Sequence, residues 1–424
     1  MFDSLRLLKS AAKAEDLRKK ILFTLAMLFV FRIGAHIPVP GVNTRVFAEL
    51  INTGVLFGFF DVISGGAFKN FSIFAMSITP YINASIIMQL LTVVIPRLEQ
   101  LAKEGEEGRK KIVQYTRYLT VVLAFIQAIG LSVALRNQHV LLSPTVGHYL
   151  LVALTLTAGT AFLMWIGEQI TEKGIGNGIS LLIFAGIVSR IPAGFARVIE
   201  YLKAGTINVF NVLLLLVIGA VVIAAIVAVN EGQRRIPVQY AKRVVGRRVY
   251  GGQSTHLPLR VNQAGVIPVI FASSIMMFPE QIARWFSNTW FGHWYVTYFA
   301  WGTAFHTIIY ALLVIGFTFF YTAVIMNPLD IAENIKKYGG FIPGIRPGRP
   351  TAEYIGKVMS RVTMGGAVFL ALIAILPNFV LLATRIPNIY FGGTALLIVV
   401  GVALDTMKQL ESHMLMRSYQ GFIK

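Results

Sequence analysis

Residues 56–94 read LFGFFDVISGGAFKN and then FSIFAMSITPYINASIIMQLLTVV. The stretch is apolar enough to cross a bilayer, yet it is interrupted where a simple span would not be. Asp61 and Lys69 in the first part would be costly facing lipid, and the paired Gly65 and Gly66 each weaken a helix by roughly 1 kcal/mol relative to alanine. The first part is therefore expected to be a short re-entrant element. The second part, from Phe71 onward, is long enough to span, since crossing takes about 20 residues. Its middle carries Ser77, Thr79, Pro80, Asn83 and Ser85, polar groups that in hydrocarbon need a partner or water. A half-helix followed by a polar-lined span is how membrane proteins build a cavity or a pore.

Working outward, the 424 residues are 56% hydrophobic and only 13% charged, and apolar segments recur along the whole length. This composition defines a polytopic helical membrane protein. The beginning, MFDSLRLLKSAAKAEDLRKK, is charged and amphipathic, lacks a small-residue cleavage site and leads directly into a span, so no cleavable signal is expected. Cysteine is absent, which excludes disulfides and thiolate metal sites. Ten spans are expected, at about 21–37, 71–95, 118–135, 149–166, 179–191, 210–229, 266–282, 305–326, 363–383 and 389–406. The fifth is the weakest, with a short apolar core that runs into Ile191-Pro192.

The net charge of +19 would suggest nucleic acid in a soluble protein, so the placement of the charges decides its meaning. Of the 38 Lys and Arg residues, 29 fall in the N-terminus, the even-numbered loops and the tail. By the positive-inside rule that side is cytosolic and holds both termini, as an even number of spans requires. Five spans starting inside followed by five starting outside are compatible with an inverted repeat around a central passage. Two of the basic loops are too large to be connectors. The sixth, with β-branched residues around Arg247-Arg248, reads as a projecting hairpin, and the eighth, with glycines and prolines around Arg346, as a rigid exposed turn. Basic loops beside a membrane can equally serve only to fix orientation or to meet anionic lipid.

Catalytic constellations are missing: no P-loop, no HExxH, no GxSxG and no acidic pair within the spans. GIGNGIS, residues 174–180, lacks the spacing and lysine of a phosphate loop and is read as a tight turn opening the fifth span. Arg32 is the one ionisable residue well inside a span, near its exit end, where snorkelling is open to it. An ion-coupled carrier usually needs a buried acid or base near the midplane, which counts against that class without excluding uniport. Polar uncharged residues gather instead in the second span, at Thr79, Asn83, Ser85 and Gln89, and in or near the seventh, at Asn262, Gln263, Ser273 and Ser274. Together they suit a seam that opens to water or to lipid.

The segments SGGAFKNFSIFAMSITPYINASIIMQLL, EGEEGRKK, GIGNGIS, GRRVYGGQSTHLPLRVNQAGVIPVIFASSI, NPLDIAENIKKYGGFIPGIRPG and FGGTALLIVVG strongly resemble the SecY/Sec61 alpha family, the channel subunits of protein translocases, over nearly the whole chain. The resemblance implies an all-α fold of ten transmembrane helices in two pseudo-symmetric inverted five-helix halves around a central pore. The halves would span residues 21–200 and 201–410, with an N-terminal cytosolic segment at 1–20, cytosolic loops at 230–262 and 328–361, and a tail at 411–424. It implies a plug at 57–70 that includes Phe60, Asp61, Ser64, Gly65, Gly66 and Phe68. It implies a pore ring of Ile78, Ile82, Ile183, Ile187, Ile270 and Ile398, and a lateral gate between the second and seventh spans lined by Asn83, Ser85, Gln89, Ser273 and Ser274.

The family's function, passage of unfolded secretory polypeptides across the bacterial inner membrane and lateral release of hydrophobic segments into lipid, would need neither catalysis nor a cofactor. Energy would come from the SecA ATPase or the ribosome, docked at Arg247, Arg248, Arg346 and Tyr419. SecE would clamp the halves and SecG would be peripheral; signal peptides, nascent chains and membrane lipid complete the implied partners, with a homo-dimer left open. The alternatives at this stage are a small-molecule carrier using the same cleft, supported by the inverted-repeat parity, and an intramembrane enzyme, which the missing catalytic sets disfavour.

Overall fold

The computed structural model describes residues 15–53, 61, 64–135, 140–142, 145–240, 243–245, 248–250, 254–285, 289–299, 303–384 and 393–421. Long apolar runs flanked by charge become helices. α1 (Glu15–Gly34) opens on Glu15 and Asp16 and carries Arg32 in its last turn, charges that suit the two ends of the helix dipole. It stops at Gly34, where any Cβ would enter the ring of Phe74. A short α2 (Thr44–Thr53) follows.

The central stretch departs from expectation. A helix over the whole of 71–95 is replaced by turns through residues 64–78, and only then by α3 (Thr79–Val94). Phe71 and Ser77 have positive φ (41° and 53°), which breaks helical continuation, and Pro80 stands in the first turn of α3, where its missing N–H costs nothing. Ile95, held extended ahead of Pro96 (ψ 113°), ends α3 and starts α4 (Pro96–Lys103), with a bend of 100° between them. Gly105, at φ 86°, turns the chain into α5 (Glu106–Ala134), which is followed by α6 (Val146–Lys173).

The GIGNGIS segment is the tight turn expected. Gly176 is left-handed (φ 85°), and the Asn177 side chain accepts a hydrogen bond from the Ser180 amide at 3.1 Å to cap α7 (Gly178–Lys203). The fifth span is thus not short: α7 continues through the exposed Pro192 for another eleven residues. Before the proline α7 contributes Ile183 and Ile187 to a buried apolar cluster, and beyond it Val198, Tyr201 and Leu202 pack against Leu215 and Val380 of later helices.

The second part of the chain forms α8 (Val209–Glu231), α9 (Ile267–Trp285), α10 (Trp290–Phe299), α11 (Ala304–Ile325), α12 (Pro328–Lys337), α13 (Arg349–Thr384) and α14 (Gly393–Gly421). Among the described residues seven helical stretches are long and apolar enough to cross a membrane, and an eighth if the bent pair α3 and α4 counts as one span. α1 and α9 occupy the places of the first and seventh expected spans. Many large apolar side chains stay exposed, among them Leu213, Leu216, Val217 and Val221 on α8, as lipid-facing surfaces require.

The helices pack in two sets. α1, α3, α5, α6 and α7 contact one another, and so do α8, α9, α11, α13 and α14; the sets meet where α9 touches α3 and α5, and where α14 touches α7. The first set has a core of its own in which Phe47 meets the edges of Phe68 and Phe71 at ring separations of 5.3 and 4.7 Å. The second is built around Val222, Ile226, Val269, Val314 and Leu370.

The sixth loop is a projecting antiparallel hairpin, as expected: β1 (Gln233–Tyr240) pairs with β4 (Ser254–Arg260), and β2 (Arg243–Val245) with β3 (Arg248–Tyr250). The sequence did not reveal a further partner. β5 (Gly340–Phe341), from the eighth loop, adds to the free edge of β1, giving the order β4-β1-β5. Ile236, Val238, Leu259, Ile335, Ile342 and Ile355 bury a small core beneath this sheet. Gly340 is needed there, because a Cβ would lie 3.0 Å from both the Tyr240 ring and the Ile335 side chain. Gly340→Val is expected to peel β5 from β1 at a cost of roughly 1–3 kcal/mol, seen as faster proteolysis within residues 338–348; an unchanged cleavage rate would show that the strand does not anchor the loop.

Candidate functional site at the junction of the two helix sets

The six isoleucines come from four helices. Ile78 is the last residue before α3 and Ile82 lies one turn further on, its amide bonded to the Ile78 carbonyl at 3.0 Å. Ile183 and Ile187 share one face of α7 at the i, i+4 spacing, Ile270 is in the first turn of α9, and Ile398 in the second turn of α14. The structure gathers all six into one apolar cluster: Ile78, Ile183, Ile187 and Ile398 are buried, and Ile82 and Ile270 pack half-buried against them. Two of the donor helices belong to the first set and two to the second, so the cluster lies where the sets meet. Phe31, Phe74, Leu182 and Val402, which the sequence reading did not single out, complete it.

Against this cluster lies the turn at 64–70, which contributes the fully buried Ala67. The turn is built by its own residues. The Ser64 hydroxyl donates to the Asp61 carbonyl at 3.2 Å and accepts the Phe68 amide at 3.0 Å, while the Asp61 carboxylate accepts the Lys69 amide at 2.8 Å. Gly65 and Gly66 are left-handed (φ 66° and 90°), and a Cβ on Gly65 would come within 2.8 Å of Gly186 Cα on α7. Glycine is therefore required for both conformation and approach. Phe68 is buried in the aromatic core of the first set, and Phe60 lies outside the described residues.

Three groups the sequence did not connect surround the turn. Asp61, 1% exposed, forms an ion pair with Arg190 of α7. Arg32 is held by the turn: its guanidinium donates to the Gly65 carbonyl at 2.6 Å and to the Ser189 hydroxyl at 3.3 Å. Ser189 in turn donates to the Gly186 carbonyl at 2.7 Å. Spacing of 29 and 129 residues from Asp61 left these partners without a signature in the chain.

The polar residues of the expected gate fall on helices that touch. Asn83, Ser85 and Gln89 are half-buried on α3; Ser274 is buried on α9, where Ser273 donates to the Ile270 carbonyl at 2.8 Å. Arg346 is exposed in a turn flanked by left-handed Gly344 and Gly348, with its carbonyl accepting the Thr351 hydroxyl at 2.8 Å. Arg248 is in strand β3 and Tyr419 within helix α14, while Arg247 lies outside the described residues. Among the described residues no group of three or more His, Asp or Glu side chains is arranged to hold a metal.

Two sets of apolar helices meeting at a waist of branched aliphatic side chains, with a polar-anchored turn lodged against it, define a multi-pass membrane protein of the channel class. Residues 72–407 match the SecY family model. The protein translocase subunit SecY of Halalkalibacterium halodurans is 52% identical over 99% of this chain and 100% of its own length. The chain belongs to the SecY family, and so to a family of channel subunits that are not enzymes. The fold is shared with solved structures described as a protein conducting channel (TM-score 0.67, 19% identity, 93% of this chain and 92% of that one) and as Sec61 in the canine ribosome-channel complex (TM-score 0.61, 18% identity, 93% and 92%).

Proposed function

We propose that the chain is the pore-forming subunit through which unfolded polypeptides cross the bacterial plasma membrane, and from which hydrophobic segments leave sideways into lipid. The observation that carries this reading is the gathering of six isoleucines from four helices of both sets, with a buried turn against them. An apolar constriction offers nothing to solvate an ion, so a narrow one dewets and blocks conduction, while stiff branched side chains can still part around a polypeptide of any sequence. The touching pair α3 and α9, with polar residues on both, supports a lateral seam through which burial worth roughly 25 cal/mol per Å² draws apolar segments into lipid.

In this reading the plug is residues 57–70, of which Asp61 and the turn at 64–70 are described, and residues 21–200 and 201–410 are the two halves of ten spans. The charge distribution supports cytosolic termini and a cytosolic β-sheet. Guanidinium groups fit phosphate and carboxylate alike, so Arg247, Arg248 and Arg346, with Tyr419, are the residues that would contact rRNA or the acidic face of a SecA-type motor. SecE and SecG would accompany the chain. The test is single-channel recording of the purified complex in a planar bilayer. A silent resting channel that opens on adding signal peptide is the expected result, and a preparation with no peptide-gated conductance would refute the reading.

A further inference from the structure

Two apolar side chains of the turn are buried, Ala67 in the isoleucine cluster and Phe68 in the aromatic core of the first set. Polar groups tie the turn to α1 and α7 as well. Asp61 is tied in two directions, through one carboxylate oxygen to the Lys69 amide of its own turn and through the other to Arg190 on α7. Gly65 presents its carbonyl to Arg32 on α1 and sits against Gly186 on α7. Two guanidinium groups from two different helices thus hold the turn, one at Gly65 within it and one at Asp61, whose carboxylate accepts the Lys69 amide. Arg32 and Arg197 also lie close enough to Arg190 to repel it, and the Asp61 carboxylate is paired with Arg190 directly. A buried ion pair adds little net stability compared with apolar packing, but removing one partner strands the other, so the pair acts chiefly to define a single geometry.

We infer that the Asp61–Arg190 ion pair, with the Arg32 bond to the Gly65 carbonyl, is a latch that holds the turn against the isoleucine cluster and sets the threshold a signal segment must overcome to open the channel. The inference rests on the channel reading above and deepens it by naming positioning residues. Displacing the turn separates Asp61 from Arg190 and leaves that guanidinium without its carboxylate. That separation is the barrier that distinguishes a genuine signal segment from a chance apolar one.

The experiment uses the complete complex in vesicles and planar bilayers, with the unaltered chain as baseline. Asp61→Asn and Arg190→Gln are each expected to raise resting ion leak and transport of a precursor with a weakened signal segment, roughly tenfold. The exchange of Asp61→Arg with Arg190→Asp in one chain should return both quantities toward baseline. Single variants with unchanged leak and unchanged signal stringency would overturn the latch, and so would an exchange as leaky as the singles, because the residues would then act by packing and not as a pair.

A second measurement does not depend on that recovery. The chain has no cysteine, so Asp61→Cys with Arg190→Cys gives a background-free pair for a short, reductant-cleavable thiol bridge. Bridging should abolish transport and reductant should restore it; normal transport by the bridged complex would overturn the proposal. Peptide-gated current in the unaltered complex keeps the channel reading whatever the variants do, whereas its absence would overturn both.

Discussion

Ile78→Asn combined with Ile183→Asn is expected to turn a silent resting complex into a leaky one, with ion conductance up roughly tenfold or more in reconstituted vesicles. Both side chains are nearly inaccessible, at 2% and 4% exposure, and they stand on helices from different parts of the first set. If these residues form the barrier proposed above, an amide at each position gives water two hydrogen-bonding sites where the native residues give none, and the constriction wets. The exchange also costs stability, since burying an unsatisfied amide costs about 1–3 kcal/mol on mutational scales, and the yield of folded complex has to be measured alongside. Ile78→Leu with Ile183→Leu is the control. It preserves volume and apolarity and should leave the channel silent. Equal leak in the asparagine and leucine pairs would remove these residues from the barrier.

The second large effect is expected at the other end of the molecule. Arg346→Glu should reduce motor-driven precursor transport about tenfold or more while leaving the amount of folded protein unchanged, because an anchor arginine at an interface commonly carries 2 kcal/mol or more. Arg346 is exposed and its turn is held by the Thr351 hydroxyl bond and two left-handed glycines, so the charge can be reversed without disturbing a core. A neighbour supplies the comparison. Arg349 makes a 3.7 Å contact with Glu353 between exposed side chains, and Arg349→Glu should change transport little. Normal transport by Arg346→Glu, or equal loss in both variants, would refute a specific docking role.

The sequence made the class of fold legible because the membrane imposes it: apolar runs of spanning length and the bias of Lys and Arg toward alternate loops need no tertiary information. The boundaries within 64–96 were not legible. Pro80 and Pro96 were visible, but the left-handed turns at Phe71 and Ser77 are set by packing, for Phe71 is locked between Phe47 and the buried faces of the first set. Pro192 left the extent of the fifth span open, and the part of α7 beyond it packs through Val198, Tyr201 and Leu202 against Leu215 of α8 and Val380 of α13.

The isoleucines illustrate a different limit. Isoleucine in an apolar helix carries no signal of its own, and only the resemblance of the surrounding segments marked these six. The partners of Asp61 were illegible for a third reason. Arg32 and Arg190 are unremarkable one at a time, and become a grip only when three distant parts of the chain are folded together.

The pairing of β5 with β1 ties two loops, about a hundred residues apart, into one lever. β1 follows α8 after a single residue, β4 leads into α9, and β5 stands between α12 and α13. The base of the hairpin is pinned by the Val261 amide on the Gly232 carbonyl at 2.9 Å and by the Asn262 side chain on Asn230 at 2.7 Å. The sheet thus joins the membrane helices α8, α9 and α13 at one place, and α9 in turn touches α3, so a partner seated on either loop meets a platform continuous with the seam between the two helix sets.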